Sequence, residues 1–138
     1  MKIEPVFVFD TNALISAHLV EGSVSDKAYK QALKLGFIAI SGEIMIEFID
    51  VSCRRKFDKY FGSELERLSL AEKIEANAVL FDIHEKINVS FDPDDNMILE
   101  LAVASQASCI ITGDPHLLTL HPFRNIPILS ASDFLKKF

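Results

Sequence analysis

Two short apolar runs in this chain end in an aspartate. Val6-Phe-Val-Phe-Asp10 is followed by Thr11-Asn12, and Cys109-Ile-Ile-Thr-Gly-Asp114 by Pro115-His116. Each run is β-branched or aromatic with no internal charge, the pattern of a parallel strand covered on both faces. In open α/β sheets, ligands bind beyond the carboxyl ends of such strands. Carboxylates gathered there are hard oxygen donors, suited to a cation such as Mg²⁺ or Mn²⁺. Asp is also a favoured helix N-cap, so capping explains each aspartate singly. It does not predict two such strand ends in one small domain, whereas a shared acidic site does.

Other acids are candidates for the same site. Asp92, Asp94 and Asp95 crowd the start of one helix, where each complements the helix dipole by about 0.3–1 kcal/mol. Beyond them the helix is apolar on most sides, with Asn96 and Glu100 expected on its solvent stripe. Asp95 lies over a core-facing row, and Asp94 aligns with Ile98 and Leu101 almost as well, so periodicity leaves the choice open. Glu43, Glu47, Asp50 and Arg54 fall on one helical stripe, which by itself reads first as a solvated face. Arg54, Arg55, Lys56 and Lys59 form the densest basic cluster and are candidate phosphate contacts. His116 joins them as a candidate substrate contact beside Asp114. The four histidines have no metal-ligand spacing.

The elements that position these residues alternate between strand and helix, implying an α/β domain with a mostly parallel sheet and right-handed crossovers. Strands are expected near 5–10, 37–40, 109–112 and 126–129, with a short edge strand at 87–91. Helices are expected near 13–17, from Ser25 to Leu35, and from Ser41 past Arg54. Another starts at Ser63 or Ser69, both with capping-box spacing, one runs from Asp92-Pro93 to about Gln106, and a last one spans 131–137.

The 138 residues read as one domain, 1–138, with ample apolar material for a core: 49% hydrophobic, including 11 Phe. A formal net charge of −6 argues against holding nucleic acid by bulk electrostatics, though not against a local basic patch. Cys53 and Cys109 form no zinc or redox motif. No segment reads as a signal peptide or a membrane span. A reducing, cytoplasmic home is expected.

Together these residues resemble the PIN domain family, small metal-dependent nucleases, many of them toxins of toxin–antitoxin pairs. The resemblance covers roughly residues 6–130. It rests on Phe9-Asp10-Thr11-Asn12, on Ser41 through Glu47, on Asp92-Pro-Asp-Asp95 followed by Ile98-Leu-Glu-Leu-Ala102, and on Ile111-Thr-Gly-Asp114 followed by Leu117-Leu118. It implies a three-layer α/β/α sandwich and a metal carried on Asp10, Glu47, Asp95 and Asp114. Thr11, Asn12 and Thr112 match supporting polar positions. It therefore chooses Asp95 over Asp94 and lifts Glu47 above a solvated stripe. Two positions depart from the family pattern. His116 stands where many relatives carry another aspartate, and Met97 where close relatives often carry lysine.

The chemistry implied is Mg²⁺- or Mn²⁺-dependent hydrolysis of phosphodiester bonds, with RNA the substrate by resemblance alone. Implied partners are a cognate antitoxin protein and a second copy of the chain in a homodimer, with no membrane partner. Two other readings remain. A non-catalytic PIN-like module would bind protein or RNA and use its acids as caps. An aspartate-nucleophile phosphohydrolase would use Asp10, although Asn12 replaces the second acid of such a motif.

Overall fold

The computed structural model describes residues 4–138. Five strands form one parallel sheet in the order β3-β2-β1-β4-β5: β1 (Val6–Phe9), β2 (Phe37–Ile40), β3 (Ala78–Leu80), β4 (Cys109–Ile111) and β5 (Ile128–Leu129). From β1 the chain winds outward through β2 and β3. It then crosses back to place β4 on the other side of β1. The strand order reverses at β1 and β4, and the crevice beyond their carboxyl ends is the position where such sheets bind ligands. Register fixes what meets there. Phe9 pairs with Ile111, and the Asp10 amide donates to the Ile111 carbonyl at 3.1 Å. Asp10 therefore leaves β1 beside Thr112 leaving β4.

Side chains alternate between the two faces of the sheet. Phe7, Phe9, Ile38, Ile40, Cys109 and Ile111 point to one cluster, and Val8, Ala39 and Ile110 to the other. The first face is covered by α1 (Thr11–Leu19), α2 (Val24–Leu35), α3 (Gly42–Ser52), α4 (Glu64–Ala76) and α7 (Ala131–Lys137). The Phe134 ring meets Phe7 edge-on at 5.2 Å between centroids, favourable aromatic geometry. The second face is covered by α5 (Pro93–Ser105), through Ile98, Leu99, Leu101 and Ala102, and by the short α6 (Pro115–Leu118), through Leu117. The result is the three-layer α/β/α sandwich. Among the described residues, no helix is long and apolar enough to cross a membrane.

Polar caps start the helices where the sequence places them. Ser23, Ser41, Ser63 and Ser130 accept from amides three residues on, and Asp92 caps α5 with Pro93 at its first position. Two of the expected elements are corrected. The helix from Ser41 stops at Ser52 instead of passing Arg54, and a 3₁₀ helix, Arg55–Tyr60, follows. The edge strand is Ala78–Leu80, not 87–91, which has no strand pairing. Ala78-Val-Leu reads as a continuation of the preceding helix and hides its strand character.

The second correction has a visible cause in α5. Asn96 and Glu100, expected on a solvent stripe, are only 8% and 6% exposed. The Asn96 side-chain oxygen accepts from the amides of Val89 at 3.1 Å and Ser90 at 3.0 Å, and its amide group donates to the Ser90 carbonyl at 3.0 Å. Glu100 accepts from the Ile87 amide at 2.9 Å. These side chains satisfy backbone groups that a strand would have paired with a neighbour. Replacing Asn96 by Ala leaves three such groups without their partner. Asn96→Ala is expected to lower unfolding free energy by about 1–3 kcal/mol in urea titration. A change under about 0.5 kcal/mol would show that Asn96 does not hold this segment.

Candidate functional site

Asp10 and Asp114 are both N-caps, and the caps stand at the point where the strand order reverses. The Asp10 carboxylate accepts from the Ala13 amide at 2.7 Å through one oxygen and from the Thr112 hydroxyl through the other. Thr112 also accepts from the Asp114 amide at 3.0 Å, so one buried threonine ties the end of β1 to the loop after β4. Asp114 in turn accepts from the His116 amide at 2.9 Å. Burial pushes the Asp10 carboxyl above its usual range. The Thr112 and Ala13 hydrogen bonds oppose that rise, and the Asp114 charge adds to it.

The first turn of α5 brings the next acids. Asp92 accepts from the Asp94 amide at 2.9 Å, and the buried Asp95 accepts from the Ser90 hydroxyl at 3.1 Å. Burial, then the Asp114 charge, raises the Asp95 carboxyl to about 6 against the Ser90 hydrogen bond. Glu47, on α3, is also raised to about 6. Burial is again the largest cause, followed by the charge of Asp94 and a hydrogen bond with it, while Arg54 opposes. Both Asp94 and Asp95 line the cleft, Asp94 acting on the Glu47 carboxyl and Asp114 on that of Asp95.

Asp10, Glu47, Asp92, Asp94, Asp95 and Asp114 line one cleft of about 130 Å³, together with Thr11, Asn12 and the cation Arg54. A larger hollow of about 540 Å³ shares Asp10, Asn12 and Asp114 and is bordered by Thr112, Ser16, Ser25, Ser130 and Lys56. Lys56 donates to the Asn12 side-chain oxygen at 3.3 Å. The basic cluster therefore divides. Arg54 faces the acidic cleft and Lys56 the larger hollow, whereas Arg55 and His116 line neither.

The charged donors of the cleft are all carboxylate oxygens, matching the preference of Mg²⁺ or Mn²⁺ and not that of zinc. Among the described residues, no three His, Cys, Asp or Glu side chains are gathered closely enough to ligate one ion as they stand. The oxygens of Asp10 are turned to Ala13 and Thr112 instead. The donor chemistry fits a hard cation, while the carboxylates accept from neighbouring amides and hydroxyls.

A family model described as PIN domain matches residues 6–116. The chain belongs to the PIN domain family. It is 29% identical over 120 residues to the uncharacterized protein MJ1680 of Methanocaldococcus jannaschii, covering 86% of this chain and 77% of that protein. The fold of this PIN domain is shared by two solved structures. One is a chain of VapBC2 from Rickettsia felis, bound to a DNA fragment from their promoter. Its TM-score is 0.61 at 16% identity, covering 89% of this chain and 96% of that one. The other is PAE2754 from Pyrobaculum aerophilum, with a TM-score of 0.64 at 13% identity, covering 96% and 88%.

Three features of the PIN-domain cleft escaped the sequence. Asp94 as the partner of Glu47 was signalled by its alignment with Ile98 and Leu101. Ser90, which holds Asp95, carried no signal, and neither did the serines of the larger hollow.

The raised carboxyls set a pH dependence. A carboxyl whose folded pKa lies above its unfolded value is favoured by folding while protonated. Its contribution is full below about pH 4 and is lost as pH rises through about 6. In metal-free protein, Asp95→Asn is expected to gain melting temperature relative to wild type between pH 4.5 and pH 7.5, since the amide cannot ionise. A difference that stays constant or shrinks over that interval would contradict the raised carboxyl that burial and the Asp114 charge give Asp95.

Proposed function

We propose that this PIN domain is a Mg²⁺- or Mn²⁺-dependent endoribonuclease that hydrolyses phosphodiester bonds of RNA. The observation that carries this reading is six carboxylates facing one arginine in a single cleft at the sheet's topological switch point. Two unit charges about 4 Å apart cost on the order of 4 kcal/mol at an effective dielectric near 20. Such a cluster is retained at that expense where a cation or a proton is to be held.

Asp10 and Asp95 are assigned as direct metal ligands, with Asp114 completing the shell or acting through water. All three line the same cleft, and to bind an ion Asp10 would exchange its hydrogen bonds to Ala13 and Thr112 for it. When bound, the metal lowers the pKa of water and offsets charge developing on the phosphoryl and leaving oxygens. Thr112 holds the Asp10 carboxylate between the two strand ends. Glu47, which lines the same cleft, would orient the attacking water or help to hold a second ion. Arg54 and Lys56 contact substrate phosphates on either side of the shared wall. Lys56 exchanges its bond to Asn12 for a phosphate oxygen, and Asn12 supports the site beside it.

The same reading gives the protein a cognate antitoxin as partner. Its support is the family and the fold shared with a chain of the VapBC2 assembly.

Incubation of a mixed RNA pool with Mn²⁺ tests the activity. Asp10→Asn is expected to lower cleavage by about a hundredfold or more while circular dichroism stays that of the wild type. Equal cleavage by the folded variant would overturn the ligand assignment. Cleavage by neither, with no stabilisation of the wild type by Mn²⁺, would favour a non-catalytic binding module. Lys56→Ala is expected to flatten the log–log salt dependence of single-stranded RNA binding by about 0.7, the value of one phosphate contact. An unchanged slope would remove Lys56 from the substrate path.

A further inference from the structure

Phe91 is fully exposed, more so than any other large apolar side chain described. Apolar side chains on mobile loops are common, but the backbone that carries this one is held on both sides. Asn96 accepts from the Val89 and Ser90 amides and donates to the Ser90 carbonyl. The Ser90 hydroxyl accepts from the Asp92 amide at 3.2 Å and donates to Asp95. Phe91 therefore sits between a residue bonded to one cleft acid and a residue, Asp92, that lines the cleft itself. Five hydrogen bonds fix the backbone at the lip of the acidic cleft, where Asp92 lines it, and leave the ring of the residue before it bare.

We propose that Phe91 is a stacking platform for one unpaired base of the RNA strand that crosses the cleft. This rests on the nuclease reading and extends it to the form of the substrate. A ring is sequence-tolerant, because every base has a π-face, and its energy does not depend on salt. It suits a protein of net charge −6, for which neutral contacts near an acidic cleft are less costly than further phosphate contacts. Stacking requires a base free of its pairing partner, so the platform selects single-stranded RNA or unpaired loops over duplex.

The chain contains no tryptophan, so Phe91→Trp introduces a sole indole reporter at the lip. The probe is a single-stranded mixed-sequence RNA nonamer, with Ca²⁺ replacing Mg²⁺ so that bound strand is not consumed. Its binding is followed separately by anisotropy of a labelled copy. The nonamer is expected to quench indole emission over the same concentration range in which anisotropy rises, and a blunt duplex to leave it unquenched. Phe91→Ala is expected to weaken nonamer binding about 5- to 100-fold with an unchanged salt slope. Binding by anisotropy without quenching would overturn the platform and leave the nuclease reading intact. Absence of any nonamer binding would overturn both. Emission that instead varies with protein concentration and ignores RNA would assign the ring to contact between copies of the chain, and would also overturn the platform.

Discussion

The burial of several carboxyls together beyond the carboxyl end of the sheet is the constraint around which this molecule is arranged. Parallel pairing of Phe9 with Ile111 leaves Asp10 and Thr112 adjacent as the chain departs from two neighbouring strands. Thr112 then bonds to the side chain of one aspartate and the amide of the other. From the second face of the sheet, α5 delivers Asp92, Asp94 and Asp95, and from the first face α3 delivers Glu47. Acids carried by four separate elements converge, and the fold holds them against both their desolvation and one another. The raised carboxyls of Asp10, Glu47 and Asp95 are the measure of that opposition.

The cost is offset by ordinary means. Helix N-termini supply amides to Asp10, Asp92 and Asp114, so three of the acids also act as caps. Below them lie two apolar layers in which β1 alternates Phe7 and Phe9 on one side with Val8 on the other. Asn96 and Glu100 draw the chain between β3 and α5 onto the helix and fix the lip of the cleft. Structural and site-forming tasks thus fall on the same side chains. Asp10 and Asp114 cap their helices and line the cleft at once.

Much of this was legible because the relevant signals are local. Charge-free apolar runs marked β1, β2 and β4, and Asp92-Pro93 marked the start of α5. Asp10 and Asp114 stood out as polar residues closing buried parallel strands, at the sheet end where ligands gather. The features that stayed hidden depend on partners distant in sequence. Ala78-Val-Leu80 is a strand because Ile38 to Ile40 accept it as a neighbour, and nothing within three residues announces that. Asn96 and Glu100 looked solvated because helical periodicity cannot see the loop that folds over them. The pairing of Glu47 with Asp94 crosses between α3 and α5. The basic cluster divides where the α-helix gives way to a 3₁₀ helix, with Arg54 lining the cleft and Lys56 the larger hollow.

The most direct test of a cation-dependent acidic site is calorimetric titration of the metal-free protein with Mn²⁺ at pH 6, repeated in two buffers of different ionisation enthalpy. Saturable binding is expected, with release of about one proton per ion from carboxyls that titrate near that pH. Asp10→Asn should weaken it sharply. Heats that fail to saturate at millimolar Mn²⁺, or binding that Asp10→Asn leaves unchanged, would contradict the claim that these acids are assembled to hold a metal.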